Sequence, residues 1–107
     1  MSSALKKNKR FLSFLLDKNT PLNQKRAVIF TASETQLTAV AEIIFNISAG
    51  VLPLPKKTRE LLQKHRLLIQ KANKAKGKAK LKFLRAKYNK VCDLLLSVRN
   101  IILDLIA

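Results

Sequence analysis

A chain of 107 residues carries 22 Lys and Arg against 6 Asp and Glu, a net charge of +16, with 48% apolar residues, 2 Gly and 3 Pro. That length holds one domain at most, and so apolar a composition excludes a disordered tail, which would be far poorer in Leu, Ile and Val. The scarcity of glycine and proline argues against strands joined by tight turns and for helices.

The first helix is expected over residues 4–17, where Leu5, Phe11, Leu12, Leu15 and Leu16 share a face at helical spacing. Lys6, Lys7, Lys9 and Arg10 crowd its first turns and oppose the helix dipole there. Lys18, Asn19, Thr20 and Pro21 form a break. Thr20 is a good N-cap, and Pro21 suits the first helical position, so a short second helix should run over 21–31. Ser33 followed by Gln36 spells a capping box for a third helix. Leu37, Val40, Ala41, Ile44, Phe45 and Ile47 make that helix the expected core element, with Gly50 as its terminator. Residues 51–55, Val-Leu-Pro-Leu-Pro, must be extended because proline restricts the residue before it. Pro55 can open a fourth helix whose stripe is Leu61, Leu62, Leu68 and Ile69.

Residues 71–82 alternate small and basic side chains. Ala and Lys favour helix, but Gly77 and the unbroken repulsion oppose it, so a mobile basic hairpin, a linker over about 71–79, is expected. A last helix should start near Lys80 and reach Ala107. Val91, Leu94, Leu95, Val98, Ile101, Ile102 and Leu105 form its stripe. A stripe that broad is buried by several helices or shared with a second copy. The expectation is therefore all-α: a compact bundle of four to five helices in a single domain, 1–107, with a basic mobile segment before a long C-terminal helix. Homo-oligomerisation would use Val91, Leu95, Val98, Ile102 and Leu105.

Catalytic constellations are sparse. His65 stands between Lys64 and Arg66, whose charge disfavours its protonated form, with no orienting carboxylate nearby in sequence. The acids Asp17, Glu34, Glu42, Glu60, Asp93 and Asp104 form neither a metal set nor a catalytic pair. Cys92 is the single cysteine, which rules out an intramolecular disulfide and makes it a small buried apolar residue in a reducing compartment. No catalytic residue, metal or cofactor is expected. The run 11–16 is too short for a secretory signal and ends at Asp17. The apolar stretch 94–107 is interrupted by Arg99 and Asp104 and falls short of the roughly 20 residues of a membrane span.

The basic segment points elsewhere. Between Lys56 and Lys90 lie fourteen Lys or Arg and one acid, Glu60. Charge of this density calls for a polyanionic partner, the phosphate backbone of DNA or RNA first and an anionic membrane surface second. The expected contacts are Lys56, Lys57, Arg59, Lys64, Arg66, Lys71, Lys74, Lys76, Lys78, Lys80, Lys82, Arg85 and Lys87. Lysine dominates, and an ammonium is a point charge without the fork that reads guanine, so base-specific reading is not indicated. Phe83 reads as core, and Tyr88 could stack on a base.

The stretch Thr31-Ala-Ser-Glu-Thr-Gln-Leu-Thr-Ala-Val-Ala-Glu-Ile-Ile-Phe-Asn46, then Gly50-Val-Leu-Pro-Leu-Pro-Lys-Lys, then Leu62-Gln-Lys-His-Arg-Leu-Leu-Ile69 resembles small basic proteins of Maverick/Polinton-type elements and related animal DNA viruses. The likeness covers roughly residues 11–74. The apolar C-terminus of this chain departs from the basic, Gly-containing tail common there. The resemblance implies a genome-associated or accessory role in a virus or mobile element, located within the cell, in the nucleus or in the virion. Three readings therefore compete: a non-sequence-specific nucleic-acid-binding protein, a helical protein-interaction or self-assembly module, and a membrane-active protein.

Overall fold

The computed structural model describes residues 3–107, and among them it forms nine α-helices and no strand. The five expected helical segments are all present, but three of them are broken.

The first divides into α1 (Ser3–Lys7) and α2 (Lys9–Leu16). The break is Asn8, at φ −107° and ψ 21°. Its buried side-chain amide donates to the carbonyl of Ala4 at 2.8 Å and to that of Thr35 at 3.2 Å. An asparagine that bonds backbone groups competes with a continuous helix, and here it ties the N-terminal segment to the start of the core helix.

α3 (Leu22–Phe30) begins one residue later than expected. Pro21 is its N-cap, extended at ψ 147°, and Thr20 makes no capping bond. α4 (Glu34–Ser48) begins as the sequence predicts. The Ser33 Oγ accepts from the Gln36 N–H at 3.2 Å, and the Gln36 side chain accepts from the Ser33 N–H at 2.9 Å. Leu37, Ala39, Val40, Ile43, Ile44 and Ile47 are buried, so α4 is the central helix. Gly50 follows its C-cap at φ 70°, a left-handed conformation that glycine adopts without strain.

Residues 51–55 are extended, with Leu52 and Leu54 packed on the core. Pro55 is the N-cap of α5 (Lys56–Gln63), again one position before the expected first helical place. α6 (Arg66–Lys74) follows a break at Lys64 and His65. Leu61 belongs to the predicted stripe but is exposed, as is Leu67.

The last segment divides into α7 (Lys78–Ala86), α8 (Tyr88–Ser97) and α9 (Arg99–Ile106). An unbroken helix over 80–107 would be about 42 Å long at 1.5 Å per residue. The whole molecule measures 32 × 31 × 27 Å. Breaks at Lys87 (φ −100°, ψ 31°) and Val98 (φ −115°, ψ 23°) let the apolar stripe wrap the core instead of running past it. Two arginines pin this wrapping. The Arg99 guanidinium donates to the Leu16 carbonyl at the end of α2, and that of Arg85 donates to the Ala32 carbonyl between α3 and α4.

α4 packs against α1, α6 and α7, while α8 packs against α3 and α5, and α9 against α2. The residues expected at an oligomer interface are mostly buried inside the chain itself. Val91, Leu95 and Ile102 have no exposed surface and Val98 has 1%, all within the chain's own core, and Leu105 is half-buried. Within the chain their stripe packs on α2, α3 and α5. Among the described residues no single helix is long and apolar enough to cross a membrane; α3 and α4 reach that measure only together, and they are bent by 109°.

Candidate nucleic-acid interface

The basic segment is more ordered than its composition suggests. Only Ala75, Lys76 and Gly77 lie outside helices between Arg66 and Ala86. α6 and α7 pack on each other and on α4, so the expected mobile hairpin is a helical one. Burial of Leu68, Ile69, Ala72 and Leu84 supplies the apolar contact that outweighs lysine repulsion in an otherwise marginal helix. Gly77 turns the chain at φ 57°, where a side chain would be strained.

The expected contact residues fall into separate groups. Lys71 and Lys74 in the last turn of α6, Lys76 in the turn, and Lys78, Lys82 and Lys87 along and just after α7 are all exposed. The two on α6 also sit where the negative end of the helix dipole favours a cation. Lys56, Lys57 and Lys64 are exposed on and beside α5. Arg59 and Arg66 turn into a cleft of about 530 Å³ floored by Leu52, Leu54, Leu62 and Ile69, which none of the hairpin lysines lines. Lys80 is half-buried and lines the groove toward α4 with Glu42 and Phe45. Arg85 is half-buried, and its guanidinium donates to the Ala32 carbonyl, which sets it apart from the exposed lysines.

Among the described residues, the acid placed beside the hairpin lysines is Glu42 of α4, which shares a groove with Lys78 and Lys80. Residues 61–92 contain no Asp or Glu. Arg26, on α3, approaches Asp93, on α8, at 3.8 Å, a partly exposed pair that contributes at most about 1 kcal/mol. Burial lowers the His65 pKa, the nearby Asp93 opposes that shift, and Lys64 reinforces it, so burial leads the cause read from sequence. Burial also raises the Cys92 pKa, with Asp93 adding to it; the thiol is fully enclosed in the core. Among the described residues no three of His, Cys, Asp and Glu come together as metal ligands.

Phe83 and Tyr88 both pack against the core, and Tyr88 also meets Phe30 edge to face. The sequence gives no sign of that second pairing, since Phe30 belongs to α3, and equally none of the burial of Lys25 on the same helix. Comparison with family models, curated proteins and solved structures finds no match to this chain.

Proposed function

We propose that this chain is a non-catalytic protein that binds nucleic acid through the phosphate backbone, without reading sequence. The observation that carries the reading is the α6–α7 hairpin, which presents Lys71, Lys74, Lys76, Lys78, Lys82 and Lys87 to solvent within a stretch free of acids. Each lysine that meets a phosphate displaces condensed counterions, and their release drives association. Packing on α4 holds the hairpin before the partner arrives, which lowers the ordering cost of binding. Lys78 and Lys82, four residues apart, share one side of α7. The setting implied by the sequence resemblance is the genome of a virus or mobile element, with an architectural or condensing role.

Two duplexes of equal length and unrelated sequence should bind with affinities within severalfold of each other in an anisotropy titration. A sequence reader would separate them by about 10³ or more, and such a separation, or no binding to either, would refute the proposal.

A further inference from the structure

Between α3 and α8 the fold leaves a cleft of about 460 Å³ lined by Asn23, Arg26, Ala27, Phe30, Tyr88 and Asn89. Its volume is in the range of small-ligand sites. The Phe30 and Tyr88 rings stand 5.2 Å apart with their planes at 71°. Tyr88 is half-buried against the core, and the open aromatic surface of the pair is that of Phe30, 53% exposed. Arg26 approaches Asp93 only at 3.8 Å and its side chain is 37% exposed, so its guanidinium keeps N–H donors for an incoming acceptor. Asn23 and Asn89 are exposed at the same cleft. The Asn23 side-chain oxygen accepts from the Gln24 N–H at 3.0 Å, which leaves its NH2 to donate, while the Asn89 amide carries both donors and an acceptor. Lys87 and Lys90 flank Tyr88 and Asn89 in the chain, and both are exposed.

We infer that this cleft receives one unpaired nucleobase of a single strand. The base would stack on the exposed Phe30 ring beside Tyr88, its edge would meet the two Asn amides and the Arg26 guanidinium, and the neighbouring phosphates would meet Lys87 and Lys90. Stacking is tolerant of sequence because every base has a π-face, which accords with a lysine-led surface. This inference rests on the nucleic-acid reading and extends it: the hairpin holds the backbone, and the cleft distinguishes single strand from duplex, whose bases are already stacked. A cationic ligand for the aromatic pair is disfavoured by Arg26 and the surrounding lysines.

Tyr88 is the only tyrosine, and there is no tryptophan, so tyrosine emission reports on this cleft alone. A short oligothymidylate should quench that emission on binding, whereas inorganic polyphosphate, which carries charge but no base, should compete for the protein and leave the emission unchanged. Phe30→Ala and the bulkier Phe30→Leu should each weaken oligothymidylate binding by about five- to 150-fold, the fold equivalent of one stacked base, while duplex affinity stays within about twofold. Retained duplex binding also shows that the variants are folded. Equal quenching by polyphosphate, or equal losses for single strand and duplex, would overturn the base site while leaving phosphate binding intact. Failure of every polyanion to bind would overturn both.

Discussion

Leu95→Ala is expected to reduce the stability of the protein by about 2–5 kcal/mol without changing its oligomeric state. Leu95 has no exposed surface. It lies on α8, which is seated against α3 and α5. Truncation there removes buried methyl groups and leaves a cavity that a close-packed interior fills only in part. Domains are stable by only about 5–15 kcal/mol, so the loss is a large share of the whole. The substitution also separates two roles for the C-terminal stripe. A core role predicts a lower urea midpoint that is the same at low and high protein concentration. An interface role predicts a monomer as stable as before and an oligomer that dissociates. Urea unfolding followed by circular dichroism at two protein concentrations, together with sedimentation, decides between them.

A second large effect is expected on binding. Changing Lys71, Lys74, Lys76, Lys78, Lys82 and Lys87 together to Gln removes six exposed charges and lowers the net charge from +16 to +10 (16 − 6 = 10). Gln is nearly as good a helix former as Lys, and none of these side chains is buried, so the circular dichroism spectrum and unfolding midpoint should hold. Duplex affinity should fall by more than about tenfold, a change of about 1.4 kcal/mol. The slope of log affinity against log salt should become shallower by about 0.9 for each lysine that had met a phosphate. A variant that binds as tightly as the parent would move the interface off the hairpin, to the lysines of α5 or elsewhere.

Local signals carried the elements that local physics controls. Ser33 and Gln36 announced the start of α4, and the spacing of Leu37, Val40 and Ile44 announced its buried face. The breaks at Asn8, His65, Lys87 and Val98 were not legible, because they answer to the size of the molecule and to tertiary partners. Asn8 is the exception that offered a clue: an asparagine within an apolar period is a candidate for bonding to backbone. At Pro21 and Pro55 the proline takes the N-cap rather than the first helical place, a shift of one residue between two conformations open to its fixed φ. In the basic segment, Ala and Lys propensity together with packing on α4 prevailed over repulsion and Gly77. Its lysines were legible as a group from composition, but their division was not. That Arg85 reaches Ala32, and that Arg59 and Arg66 face a cleft apart from the hairpin lysines, depends on contacts between distant parts of the chain. The Phe30–Tyr88 cleft likewise exists only because α3 and α8 pack together.

The most direct test of the central claim is the affinity of the intact protein for a random-sequence duplex across a salt series. Six to ten phosphate contacts predict a straight line of log affinity on log salt, with a loss of about 10³–10⁵ between about 50 and 200 mM. Affinity that is weak at the low-salt end, or that stays level across that range, would contradict phosphate binding as the activity of this protein.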